Sequence, residues 1–341
     1  MRIWTFWSAE VAPWCREIRI DALRIGLKPP ANTQPFIAVD WGTSSFRAAL
    51  IAPNGEVLDE LSTPRGILGF KPDEFVPYLV ATCERFTEKD ASAGGKMFLL
   101  SGMIGSKNGL LEVPYCPCPA TASDIAAALG WVDTGDADLN IAIVPGVRNG
   151  FDDVMRGEET QVFGAAAVLG VQDALMVLPG THSKWVRLED GAITQFNTFM
   201  TGEFYALLAQ HSILAKSLPD GGEKPASLDK TALLQGIDRA QASSQSGHGL
   251  LGNAFSTRVK SLFNELQPAQ AASYLSGLVI GDELAAMRLP AGSQVIVIGS
   301  PTLCERYNLA LSHLGVQIRA LGNQAAWAGL HSIYSQISTS A

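Results

Sequence analysis

One pattern occurs twice in this chain, and it restricts the fold more than any other feature. A short apolar run, Phe36-Ile37-Ala38-Val39, closes on Asp40-Trp41-Gly42-Thr43; a second run, Ser45 to Ile51, leads into Pro53-Asn54-Gly55, and Glu56-Val57-Leu58 can continue as a third strand. Asn54-Gly55 tolerates positive φ at both positions, so the opening predicts an antiparallel meander. Far downstream, Ala174 to Leu178 runs into Pro179-Gly180-Thr181-His182-Ser183, then Lys184 to Leu188 and the turn Glu189-Asp190-Gly191. Identity between the two stretches is too low for a sequence repeat, yet the shared order of strand, Gly-Thr loop, strand, turn predicts an internally duplicated architecture.

A chain of 341 residues with 47% hydrophobic content can bury more than one core. Domains of roughly 100 to 200 residues imply two of them facing a cleft. The expected division is an extension over 1–35, a first domain over 36–170 and a second over 171–341. The extension interleaves Trp4, Phe6, Trp7 and Trp14 with charges and ends in Lys28-Pro29-Pro30, which does not resemble a signal peptide. A formal charge of −8 leaves no broad basic surface, so nucleic acid is an unsuitable partner, and an anionic ligand must be held by backbone amides, helix N-termini or a few placed cations. Five cysteines, an odd number, fit a reducing compartment. Cys116-Pro117-Cys118 lacks a second pair at zinc-ligand spacing and reads as packed thiols. With no apolar run of membrane length, the expectation is a cytoplasmic protein; a homodimer is compatible with the sequence.

Between the two meanders, residues 73–89 read as a helix, and after Gly94-Gly95 a buried strand, Lys96 to Leu100, ends in Ser101-Gly102-Met103-Ile104-Gly105. Ligands of open α/β sheets bind beyond the carboxyl ends of strands, so Ser101, Gly102, Met103 and Gly105 are candidate walls of a substrate pocket. Ile141 to Gly146 repeats that pattern, and Thr160 to Leu169 reads as a helix. Helices are further expected over 203–216, 228–240, from Ala254 onward, over 273–288, 303–314 and 325–335, with Ser243 to Gly252 as a glycine/serine-rich connector and Gln294 to Ile298 as a strand entering Gly299-Ser300.

The chemistry concentrates on the loops. In Asp40-x-Gly42-Thr43-Ser44-Ser45-x-Arg47, glycine and hydroxyl residues at a hairpin turn let backbone amides approach phosphate oxygens, and Asp40 supplies a carboxylate of the kind Mg²⁺ takes alongside waters and phosphate. The plain alternative is an ordinary tight turn. Gly180, Thr181, His182 and Ser183 form the matching loop; His182 either donates to phosphate or caps the turn, and Lys184, opening a strand, reads as solvated and carries no assigned role. Trp41 either covers a ligand or belongs to the core.

These segments together resemble a known family. The two Gly-Thr hairpins and the Ile298-Gly299-Ser300 turn are similar to the phosphate-1, phosphate-2 and adenosine segments of actin/hexokinase-like sugar kinases. Val39 to Ser44, Ser101 to Gly105, Pro145-Gly146-Val147-Arg148, Met155 to Gln161 and Leu178 to Trp185 resemble the set found in 2-dehydro-3-deoxygalactonokinases, over roughly residues 35 to 335. The resemblance implies an α/β protein of two actin/hexokinase-like (ribonuclease H-like) domains, duplicated βββαβα cores around an ATP cleft. It also implies transfer of the γ-phosphate of Mg·ATP to the 6-hydroxyl of 2-dehydro-3-deoxy-D-galactonate, in galactonate catabolism. Gly42, Thr43, Ser44, Gly180, Thr181, His182, Ser183, Gly299 and Ser300 would contact the nucleotide. Where related kinases carry the aspartate that takes the substrate proton, this chain has Glu158 and Glu159; Glu158 follows Gly157 in the family order, and Glu159 would complement the helix N-terminus. Arg148 and Arg156 are candidates for a substrate carboxylate, or structural partners of Asp152 and Asp153. A kinase for another 2-keto-3-deoxy sugar acid, a non-catalytic sensor and a phosphohydrolase of the same fold are the alternatives.

Overall fold

A computed structural model describes residues 34–89, 96–150, 152–219, 228–322 and 324–337. The expected extension up to residue 33, Cys15 and the Gly94-Gly95 break lie outside the described residues.

The first half runs β1 (Phe36–Trp41), β2 (Phe46–Ile51), β3 (Val57–Thr63), α1 (Phe75–Lys89), β4 (Lys96–Ser101), β5 (Cys116–Pro117), α2 (Ala122–Ala127), β6 (Gly130–Val132), β7 (Leu139–Ile143), β8 (Val147–Asn149), β9 (Asp153–Met155) and α3 (Glu158–Leu169). The second half runs β10 (Ala174–Leu178), β11 (Ser183–Glu189), β12 (Ala192–Phe199), α4 (Thr201–His211), α5 (Lys230–Gln245), α6 (Gly249–Asn253), α7 (Ser256–Leu262), α8 (Pro268–Met287), β13 (Gln294–Ile298), α9 (Pro301–His313), β14 (Gln317–Leu321) and α10 (Gln324–Tyr334).

Two sheets carry the duplication. The first has the order β3-β2-β1-β4-β7-β6 and the second β12-β11-β10-β13-β14. In each, an antiparallel meander leads and parallel strands follow, β1 against β4 and β4 against β7, then β10 against β13 and β13 against β14. The same strand order in both halves is what the repeated hairpin predicts. A third, small sheet has the order β5-β8-β9.

α3 and α10 cross between the two sheets. Ala38 and Ala49 from the first sheet, Met176 and Val186 from the second, Val162 and Phe163 of α3 and Leu330 of α10 all belong to one buried core. Each such large aliphatic or phenyl side chain stabilises the fold by about 1.5–3 kcal/mol relative to exposure. The helices approach so closely that a Cβ on Gly164 would stand 1.7 Å from the Ala325 carbonyl oxygen, and one on Gly329 1.8 Å from that of Thr160. Only glycine fits at that crossing.

One expectation needs correction. The stretch Ser243 to Gly252 is not a connector: α5 continues to Gln245 and α6 begins at Gly249. β14 has no counterpart in the sequence reading, because Gln317–Leu321 is a largely exposed edge strand without an apolar run. α10 packs back on the first sheet: Tyr334 stacks on Phe36 of β1 at 4.1 Å, Trp327 Nε1 donates to Glu60 Oε2 at 3.3 Å and His331 Nε2 meets the Pro53 carbonyl at 2.9 Å. No helix among the described residues is long and apolar enough to cross a membrane.

Candidate active site

The first hairpin is closed by a Gly42 N–H to Ser45 carbonyl bond of 2.9 Å, which leaves Thr43 and Ser44 exposed at its tip. Asp40 stands opposite Arg47 in the β1–β2 register, and the Arg47 guanidinium donates to its Oδ2. Trp41 points the other way. It is fully buried and packs edge-on against Phe46, Phe70 and Phe75 at 4.8–5.4 Å, so of its two readings the structure supports core and not a cover for a ligand.

Three segments converge on Asp40. Gly102, at the end of β4, has φ +91, and a Cβ there would lie 2.8 Å from the Trp41 carbonyl oxygen and 3.2 Å from Asp40 Oδ1. Gly157, just before α3, has φ +105, and its Cβ would lie 3.2 Å from Gly102 Cα. Both conformations are open to glycine and strained for other residues. The two glycines bring the β4 loop and the N-terminus of α3 against the carboxylate of the first hairpin. Ser101 is buried and its hydroxyl turns to the Val39 carbonyl at 3.5 Å. Met103, Ile104 and Gly105 form a single 3₁₀ turn.

The two glutamates at the start of α3 differ in environment. Glu159 has no exposed surface; its Oε2 accepts from Gly157 N at 2.7 Å and its Oε1 from Thr160 Oγ1 at 3.1 Å. Burial, followed by the charge of Glu158, pushes the Glu159 carboxyl up to about 8. Glu158 is half-buried and accepts from Arg156 N at 3.0 Å through Oε2. Burial raises its carboxyl as well, the Lys184 ammonium pulls it down, and the charge of Asp40 adds to the rise. Glu158, Asp40 and Lys184 thus share one electrostatic neighbourhood.

On the facing side, Thr181 and His182 are exposed in the second Gly-Thr loop. His182 Nε2 meets Glu203 Oε2 at 2.6 Å, and Glu203 N donates to the Thr181 carbonyl at 3.0 Å, which ties the loop to the first turn of α4. A Cβ on Gly299 would lie 3.6 Å from the Pro179 carbonyl, so the β13 turn adjoins this loop, with Ser300 as N-cap residue of α9. The Ser183 side chain departs from expectation. It is fully buried, and its Oγ donates to Glu283 Oε1 at 2.9 Å, because strand alternation turns it inward. Glu283 also accepts from Trp185 Nε1 at 2.6 Å, from Tyr307 OH at 2.7 Å and from Thr201 Oγ1. Four neutral donors from three elements besides its own satisfy this carboxylate, which burial pushes up and those bonds pull down.

Lys184 is the second departure: it is 6% exposed, where a solvated strand opening was expected. Its Nζ donates to the Val154 carbonyl at 2.7 Å and to Thr198 Oγ1 at 2.6 Å, joining β11 to β9. No local signal in the sequence marks this, since Val154 lies on β9, outside the hairpin, and Thr198 is brought opposite Lys184 only by the β11–β12 register.

Of the two arginines, Arg156 is the enclosed one. Its Nη2 donates to the Val113 carbonyl at 2.7 Å and its guanidinium lies over Tyr115 at 4.3 Å, while Nε and Nη1 are buried with no partner in the protein. Gly105 backs it: a Cβ there would be 2.8 Å from Nη1. Arg148 is half-buried on β8 and donates from Nη1 to the Gly150 carbonyl at 3.2 Å. Asp153 binds Thr198 through both oxygens.

Two sheets of matching strand order, each led by a meander with a Gly-Thr hairpin, and a glutamate-bearing helix packed in the core they share, define an ATP-dependent sugar kinase of the actin/hexokinase-like fold. The profile of the 2-keto-3-deoxy-galactonokinase family matches residues 40–333. The chain is 35% identical to a probable 2-dehydro-3-deoxygalactonokinase of Rhizobium meliloti, over 86% of this chain and 95% of the relative. It is 33% identical to the 2-dehydro-3-deoxygalactonokinase of Escherichia coli, over 88% and 98%. Its fold matches the crystal structure of a candidate 2-dehydro-3-deoxygalactonokinase from Sinorhizobium meliloti with a TM-score of 0.76 at 32% identity, covering 87% of this chain and 97% of that one. The chain belongs to the 2-keto-3-deoxy-galactonokinase family.

Proposed function

We propose that this kinase transfers the γ-phosphoryl group of ATP to the 6-hydroxyl of 2-dehydro-3-deoxy-D-galactonate, with Glu158 as the base. The observation that supports the reading is the convergence of Asp40, Gly102 and Gly157, which brings the start of α3, where Glu158 stands, against the hairpin that carries Asp40. The hydroxyl oxygen attacks the γ-phosphorus, its proton passes to Glu158, and ADP leaves; positioning and charge stabilisation supply the rest. Glu158 is favoured over Glu159 because both oxygens of Glu159 are already engaged inside the fold.

Backbone amides around Gly42 to Ser44 and Gly180 to His182 would hold the phosphates, and the Gly299-Ser300 turn the adenosine. Mg²⁺ supplies charge neutralisation of the β- and γ-phosphates when bound. Asp40 fits it, since Arg47 takes Oδ2 and leaves Oδ1 toward Gly102. The unpartnered Nε and Nη1 of Arg156 favour an acidic substrate, because buried guanidinium donors without acceptors are costly and a carboxylate would satisfy them.

The test is ADP formation with Mg·ATP against 2-keto-3-deoxy sugar acids of both galacto and gluco configuration, neutral hexoses and a control without sugar. Turnover confined to keto acids supports the reading. Activity on neutral hexoses removes the carboxylate argument, and phosphate release without sugar favours a hydrolase.

A further inference from the structure

The ammonium of Lys184 is not used up by the fold. Along β11, Ser183 and Trp185 turn to Glu283, so Lys184 faces the opposite side, toward β9 and the start of α3. Two of its three N–H groups go to neutral acceptors, the Val154 carbonyl and Thr198 Oγ1. The Asp153 carboxylate stands 3.9 Å away, beyond hydrogen-bond length, with its oxygens taken by Thr198 N and Oγ1 at 2.6 and 2.5 Å. The ammonium also pulls down the carboxyl of Glu158, the first residue of α3.

A desolvated cation short of a hydrogen-bonded anion is expensive, and a methionine would fill the same space without that cost. The position is also specific. Lys184 follows directly on the second Gly-Thr loop, while Arg156, the other buried cation near the site, is held by Val113 and Tyr115 on the opposite flank.

We propose that Lys184 is a catalytic residue, presenting its third N–H to the γ-phosphoryl group as that group passes from ATP to the sugar-acid hydroxyl. This rests on the reading of Glu158 as base and the Gly180 loop as phosphate cradle. The hydroxyl oxygen forms the new bond to phosphorus, the bond from phosphorus to the β–γ bridging oxygen breaks with its electron pair leaving on ADP, and the hydroxyl proton goes to Glu158. The ammonium keeps its own protons and offsets charge on the equatorial oxygens.

The experiment uses the full chain, measuring kcat for ADP formation and calorimetric binding of a non-hydrolysable ATP analogue and of the keto acid. For Lys184→Met the expectation is binding within about threefold of wild type and a loss of about 100-fold in kcat. Adding ethylammonium to Lys184→Ala should restore kcat in proportion to its concentration, a response that a purely structural lysine would not give; if the methionine variant does not fold, this rescue decides. A methionine variant with near wild-type kcat, or a loss that falls on binding and melting temperature with no rescue by the amine, overturns the proposal. Glu158→Gln run in parallel separates the two readings. If it retains turnover the base assignment fails, whereas an inactive Glu158→Gln beside an active Lys184→Met sinks the lysine alone.

Discussion

The Arg47 guanidinium grips Oδ2 of Asp40 directly across the first hairpin, from the facing position of the β1–β2 register. The pair is partly exposed, so its value lies less in stability than in fixing which carboxylate oxygen is free. Replacing Arg47 with methionine should lower kcat by about 100-fold through misplacement of Asp40, with the KM for the sugar acid little changed. Steady-state rates across a magnesium titration would check this, and an unaltered kcat would count against Asp40 needing Arg47.

The two adjacent glutamates predict different outcomes for the same substitution. Glu158→Gln should reduce kcat by about 10²- to 10⁴-fold while substrate binding holds, as expected for loss of a general base. Glu159→Gln should retain most of the turnover. Wild-type kcat in Glu158→Gln, with binding unchanged, would reject the assignment.

Glu159 also sets a pH dependence of stability. Its folded value of about 8 stands above the ordinary 4.5, so between those limits the folded chain holds a proton that the unfolded chain has released. Stability contributed by this site therefore falls as pH rises from 4.5 to 8, and the cost is complete above that. Melting temperatures of wild type and Glu159→Gln should diverge with rising pH, the variant being the more stable near pH 9. Parallel curves would show that Glu159 is not the group responsible; Glu158, raised in the same sense, leaves a residual slope in both.

Glu283 anchors the nucleotide half. Changing it to leucine strands the hydroxyls of Ser183, Thr201 and Tyr307 and the indole N–H of Trp185, each at about 1–3 kcal/mol. A urea midpoint shift corresponding to about 4 kcal/mol is expected. Because Ser183 and Thr201 flank the second Gly-Thr loop, nucleotide affinity should fall as well; unchanged affinity in a folded variant would show that the loop holds itself.

The architecture was largely legible because hairpins announce themselves locally. Asn54-Gly55 and the two Gly-Thr loops gave both meanders, and the β4 and β13 strands are unbroken apolar runs. What stayed hidden depends on partners distant in the chain. Lys184 is held by Val154 of β9, and Ser183 is drawn inward by Glu283, which follows it by a hundred residues. The small β5-β8-β9 sheet uses strands of two and three residues, too short for any periodicity to register. The candidates Asp40, Gly102 and Glu158 could be named from sequence because glycine and charge where strands end and helices begin carry meaning without knowledge of the partner.

The return of α10 to the first sheet has a consequence for how the protein is made. Phe36 and its neighbours leave the ribosome well before their stacking partner Tyr334 and the Gly329 surface that fits α3. The first half waits for α10 before its side of the shared core is covered, and so the completion of either half is tied to the completion of both.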